Sequence, residues 1–170
     1  FALPDLRVRL ADARARVETP WGDVGAALDG SGNLRKDFTG KLALVAPDIV
    51  TAGCAARGTT FYGTLEVRNV RPRLTGPLRG VSLRCANGKV TARAPQVALD
   101  LSLSENLQSW NGAANASIAK LAAMAVAADR LGVKASFAGS SARTTFDVAA
   151  DMDRVRGPDF AARSVNLKAQ

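Results

Sequence analysis

The sequence predicts an all-β protein, and three observations lead to that class. Apolar and polar residues alternate with a period of two over many short runs, of which residues 97–103 are the clearest. Clusters of Gly, Pro, Asn and Asp separate these runs, as turns separate short strands. Hydrophobic residues make up 47% of the chain but aromatic residues only 5%, so the apolar surface is aliphatic. We expect residues 1–170 to form a single β-rich segment with many antiparallel strands.

The alternation also predicts irregular places in the strands. Apolar residues occupy even positions up to Leu10 and odd positions from Ala13 onward, which predicts a β-bulge between them. Further along, alternation is expected to run from Val81 to Cys85 and from Val90 to Ala94.

A bulky apolar residue stands two positions before a glycine at six places. The bulky residues are Leu28, Phe38, Phe61, Leu74, Trp110 and Phe137. We expect the glycine to permit a close backbone approach and the aromatic ring to cover it. The intervals are irregular, which excludes a solenoid of fixed period.

Residues 113–131 could form either a strand or a helix. Their alanine content favours a helix, but their charged residues do not share one helical face. Ile118, Ala122, Met124 and Val126 share the parity of a strand. We predict that the segment is extended.

The residue types argue against a catalytic site. The chain has no His, which rules out Ser-His-Asp and Cys-His sites, and it has no phosphate-binding glycine motif. Asp147, Asp151 and Asp153 form the densest acidic group, without the turn glycine and closing Glu of a calcium loop. We predict no enzyme, no metal and no cofactor, although sequence alone leaves a glycosidase carboxylate pair open.

The net charge is +8, and the Arg residues that supply most of the positive charge are scattered singly and usually alternate with apolar residues. That spacing is typical of the solvated face of a strand, and no basic patch with interleaved aromatics suggests nucleic acid. We expect Arg7, Arg9, Arg68, Asp100 and Asp147 to lie on this polar side.

Cys54 and Cys85 are the two cysteines, and no CxxC motif occurs. Turn signals near both predict a disulfide and therefore an oxidising compartment; the alternative is two buried free thiols. No apolar segment typical of a signal peptide is visible, and the longest apolar run, residues 121–128, is far shorter than the roughly 20 residues of a membrane helix. We expect a fragment of a larger protein, with any membrane anchor outside it.

Several stretches together resemble the AsmA-like superfamily of Gram-negative envelope proteins, in particular the YdbH branch and more distantly TamB. These stretches are VETPWG at residues 17–22, LDG at 28–30, FTGKLAL at 38–44, LDLSLS at 99–104, WNG at 110–112 and VRGPDF at 155–160.

The resemblance implies a periplasmic protein anchored in the inner membrane, in which a long twisted sheet folds lengthwise into a trough. The lining of the trough shields acyl chains while phospholipid, the implied partner, moves between the inner and outer membranes. The alternative fold is a closed β-sandwich, and the alternative function is a non-catalytic envelope scaffold or protein-binding module. The residues expected to line the groove are Leu42, Leu44, Leu65, Val67, Leu99, Leu101, Leu103, Phe146, Val148, Val165 and Leu167.

Overall fold

The computed structural model describes residues 4–51, 53–140 and 142–169. These residues form fourteen antiparallel strands in one sheet, with a single turn of 3₁₀ helix and no α-helix. The all-β prediction is confirmed. The strands are β1 Arg7–Thr19, β2 Gly22–Asn33, β3 Asp37–Thr51, β4 Cys54–Arg68, β5 Arg71–Arg79, β6 Ser82–Cys85, β7 Val90–Arg93, β8 Gln96–Leu103, β9 Ser109–Ile118, β10 Lys120–Ala123, β11 Val126–Ala128, β12 Arg130–Ser140, β13 Thr144–Arg156 and β14 Ala161–Ala169.

Eight of these strands are joined end to end in pairs, and each pair forms one longer strand with a short break in its middle. Strand β4 pairs with β5 at Thr60↔Arg79 and with β6 at Arg57↔Ser82. The two pairs are three residues apart in both strands, so the register is the same on both sides of the break. The same continuity joins β7 to β8, β9 to β10 and β11 to β12. The sheet is therefore an up-and-down meander of ten long strands in chain order.

Residues 113–131 lie in strands and not in a helix, as predicted, and span parts of β9 and β12 together with β10 and β11. The common parity predicted for Ile118, Ala122, Met124 and Val126 is wrong, because a break at Ala119 and a turn at residues 124–125 leave Ala122 and Met124 exposed. Each strand there is paired on both sides: Ala114 lies opposite Leu99 in β8 and opposite Ala135 in β12. Two ladders of backbone hydrogen bonds outweigh the intrinsic preference of alanine for a helix.

The predicted bulge in β1 is confirmed. Leu10 pairs with Gly30 but Ala13 pairs with Leu28, so two residues of β1 are accommodated against one of β2. Asp12 adopts a φ of 48°, in the left-handed region. The bulge keeps the apolar residues on its two sides on one face of the sheet.

A line of irregular residues, here called the break line, crosses seven neighbouring strands. It consists of Pro47, Gly58, Val81, Ala94, Ala119, Asp129 and Arg154. Three of these have left-handed backbones, with φ of 61° at Gly58, 46° at Ala94 and 49° at Arg154. The apolar positions change parity here: in β4 they include Phe61 on one side of the line and Ala56 on the other.

Burial shows that the change of parity keeps the apolar residues on the same face. Ala46, Ala92, Ala128 and Val155 lie next to the break line and are at most 5% exposed. The alternation predicted for Val81 and Ala94 is wrong, because both lie in the break line and Val81 is 69% exposed.

Aromatic rings cover glycines, although only one does so in the predicted way. Phe61 lies over Gly63, two residues further along its own strand. Phe38 and Phe137 instead lie over Gly30 and Gly112 in neighbouring strands, where a Cβ would stand 2.8 and 2.9 Å from the rings. The pairing register determines which glycine each of these rings covers, and that register cannot be read from the sequence alone.

Cys54 and Cys85 form a disulfide, as predicted. They are directly opposed in the β4–β6 pair, beyond the break line. The bond closes a sequence separation of 31 residues.

Candidate functional site

The apolar face is the candidate site. It is formed by the residues whose side chains share one side of the sheet, from Val8 in β1 to Leu167 in β14. Its central members are Leu28, Leu42, Leu44, Phe61, Leu65, Leu74, Leu78, Val97, Leu99, Leu101, Ala114, Ala116, Val133, Ala135, Phe137, Phe146 and Val148.

Cross-strand pairing makes this face continuous. Leu65 lies opposite Leu74, which in turn lies opposite Leu101. A second row runs from Leu99 through Ala114 and Ala135 to Val148 in β13. Directly opposed side chains in a sheet are close enough to touch, so each row is an unbroken apolar strip.

The face continues beyond the break line as a row of alternating small and large residues. In order across the sheet they are Ala56, Leu83, Ala92, Leu121 and Ala128. Ala92 is only 2% exposed between Leu83 and Leu121. Sequence reasoning missed this row. In each strand the apolar residues change between odd and even positions at the break line, and only the register shows that these five residues are neighbours.

No charged residue occupies these positions in the described part of β1–β13. The described residues also supply no second sheet or helix to cover the face. Exposure varies over the face: Leu99, Leu101 and Leu103 are half-buried, and Phe146 and Leu167 are 55% and 54% exposed. Phe38, Phe61 and Val67 on the same face are at most 4% exposed. A face of this kind must find a covering partner to leave water.

The structure places all eleven residues predicted for the groove on this face. Leu42, Leu44, Leu65 and Val67 lie in β3 and β4, three leucines lie in β8, and the last four lie in β13 and β14. Their role in binding lipid stays a prediction.

The opposite, polar face carries the charged residues. Arg7, Arg9, Arg68 and Asp147 are exposed there. Arg73 donates two hydrogen bonds to the carboxylate of Asp100 in the neighbouring strand, one of them 2.8 Å from Nε to Oδ1. These hydrogen bonds hold the pKa of the Asp100 carboxyl below its ordinary value.

The polar face also carries a depression and part of the acidic group. A depression of about 950 Å³ is lined by polar residues including Glu66, Arg71, Arg73, Ser102 and Asn111. Asp153 of the acidic group pairs with Arg130. Within residues 4–51, 53–140 and 142–169, no three acidic or thiol groups come together in a way that could hold a metal ion.

Comparison with protein-family models, curated proteins and solved structures finds no match for this chain. The argument for function therefore rests on the two faces themselves. No helix in the described residues is long and apolar enough to cross a membrane.

Proposed function

We propose that this chain is a lipid-binding segment whose apolar face holds the acyl chains of phospholipid. By its resemblance to AsmA-like proteins, it is a structural part of a periplasmic, inner-membrane-anchored protein that transfers phospholipid between the two membranes. The single observation that carries the proposal is the continuous, charge-free apolar face of a one-layer sheet, which no second layer of secondary structure in the described residues covers.

The energetics favour such a partner. Each CH₂ group moved from water onto an apolar surface contributes roughly 0.8 kcal/mol. A flexible acyl chain can follow a face that is built mostly from Leu, Val and Ala, without the specific pockets that a rigid ligand requires. The charged residues on the other side keep that surface in water.

The alternative is a non-catalytic scaffold that binds protein. Its support comes from β14, a nine-residue strand that pairs with β13 alone and so leaves one edge free in the described residues. A free edge can accept a strand from another protein. Such binding would use backbone hydrogen bonds at the edge and would leave the apolar face uncovered.

Native mass spectrometry of the whole chain separates the two. After removal of lipid, the protein is incubated with phosphatidylethanolamine or phosphatidylglycerol, and bound lipid is counted. We expect bound phospholipid that a free fatty acid displaces and that glycerophosphoethanolamine, which has the headgroup but no chains, does not. A protein that stays free of lipid, or that loses its lipid to the headgroup compound, contradicts the proposal.

A further inference from the structure

One end of the sheet differs from the other. We call the end beyond the break line the distal rim. It consists of the turns that link β1 to β2, β3 to β4, β6 to β7, β10 to β11 and β13 to β14. The turns at the opposite rim link β2 to β3, β4 to β5, β8 to β9 and β12 to β13.

Large apolar side chains are exposed at the distal rim. Trp21 is 57%, Val50 60%, Met124 85% and Phe160 52% exposed, and each lies in a turn or beside one. In the described turns of the opposite rim, the large apolar side chains are half-buried: Leu34, Val70 and Leu107. Leu6 and Phe146, which lie at or near the start of strands at the opposite rim, are 52% and 55% exposed, but exposed side chains of this kind occur in more of the turns at the distal rim. Such a concentration indicates a contact surface.

Backbone hydrogen bonds join neighbouring turns of the distal rim. The N–H of Val50 donates to the carbonyl of Trp21 at 2.8 Å, which holds the first two turns together. The N–H of Met124 donates to the carbonyl of Lys89 at 2.7 Å, which sets an apolar tip beside a cation. The exposed groups are therefore held by the sheet.

A basic patch begins in the β6–β7 turn of the distal rim and continues directly behind it. It consists of Arg84, Lys89, Arg93 and Lys120, all exposed. Arg93 and Lys120 are directly opposed across the β7–β10 pair, an arrangement of like charges that is unfavourable without a counter-anion. The ion pairs found in the described residues involve none of the four.

We propose that the distal rim docks on the surface of an anionic phospholipid bilayer. Aromatic side chains such as Trp21 and Phe160 favour the boundary between headgroups and acyl chains. Each basic residue near an anionic bilayer strengthens binding about fivefold. Charge complementarity selects the partner. The basic patch can contact the anionic headgroups, while the exposed apolar side chains of the distal rim reach the boundary between headgroups and acyl chains.

This docking goes beyond the proposed function, since binding a lipid molecule on the apolar face requires no bilayer. The two also fit together: Leu121 and Val126 carry the apolar face up to the β10–β11 turn, where Met124 stands.

Vesicle co-sedimentation of the whole chain tests the inference. We expect binding to vesicles of phosphatidylcholine with phosphatidylglycerol, and little binding to phosphatidylcholine alone. The double variant Arg93→Gln/Lys120→Gln should weaken binding about thirtyfold, from two basic contributions. The matched control Arg9→Gln/Arg71→Gln removes the same charge from the polar face closer to the opposite rim and should bind as well as the parent.

A second pair of variants tests the apolar tips. Trp21→Ser should weaken binding, whereas Tyr62→Ser, which removes a 62% exposed ring from the middle of the sheet, should not. In a Trp110→Phe background, the emission of Trp21 should shift to shorter wavelength on anionic vesicles. Thermal unfolding of each variant shows whether it is folded.

Several results would overturn the docking surface. These are no binding of the parent to anionic vesicles, equal binding to neutral ones, equal losses in the control variants, or binding to a DNA duplex in place of vesicles. Native mass spectrometry of the same variants keeps the two proposals apart: the rim variants should still load single lipids. If the parent binds anionic vesicles but does not bind single lipid molecules, only the proposed function is refuted.

Discussion

The backbone N–H of Asp12 donates a 2.7 Å hydrogen bond to Oδ1 of Asp29 in the neighbouring strand. This bond holds the left-handed residue of the bulge in β1, which lets Leu10 and Ala13 share the apolar face. Replacing Asp29 by Ala leaves the N–H with water alone. We expect the midpoint of thermal unfolding to fall by a few degrees.

Ser31→Ala is the matched control for Asp29→Ala, because Ser31 lies on the same face of the same strand two residues away. It should leave the midpoint nearly unchanged. An equal fall in both variants would mean that the bulge does not depend on the Asp29 carboxylate.

Phe61 packs over Gly63 and is 4% exposed. Truncation to Ala uncovers the glycine and leaves a cavity, so we expect a loss of about 3–4 kcal/mol in the free energy of unfolding. Urea denaturation measures it. Phe146→Ala, at a position 55% exposed, should cost far less; similar losses at both sites would show that the aromatic cover is not what stabilises the sheet.

The alternation of single strands was enough to predict the class of fold and the bulge; the extended state of residues 113–131 was predicted, but the parity assigned to Ala122 and Met124 was wrong. It was enough because side-chain direction in a strand depends on local parity alone. The break line was not predicted, because a residue type such as the alanine at position 94 does not indicate a left-handed backbone. The row containing Ala92 and Leu121 also escaped, since it depends on which strands are neighbours.

The disulfide between Cys54 and Cys85 should stabilise the part of the sheet beyond the break line. On the chain-entropy view, opening a loop of this length costs about 3–4 kcal/mol. We expect the double variant Cys54→Ser/Cys85→Ser to lose that amount by urea denaturation. Addition of a reductant should destabilise the parent and leave the variant unchanged; a parent insensitive to reduction would contradict this.

The ion pair between Arg73 and Asp100 predicts a dependence of stability on pH. The hydrogen bonds from Arg73 lower the pKa of Asp100 in the folded state. Its contribution is therefore complete above the unfolded pKa, near 3.9, and is lost as the pH falls through the lower folded pKa. Because both side chains are about half exposed, the contribution is small and should decrease with salt.

Thermal melts from pH 6 down to strongly acidic conditions measure this contribution, with Asp100→Asn as the comparison. The parent should lose more stability than the variant over the acidic end of the range. Parallel curves for the two proteins would contradict a stabilising role for the pair.

Leu101→Asp tests the apolar face most directly, and Ser102→Asp is its matched control on the other side of the same strand. Because Leu101 is half-buried on an uncovered face, the carboxylate can stay hydrated and the melting temperature should change little. An ion among acyl chains is strongly disfavoured, so native mass spectrometry should show lipid loading lost in Leu101→Asp and kept in Ser102→Asp. Full lipid loading of a folded Leu101→Asp protein, or unfolding of that variant as in a closed core, would contradict the account.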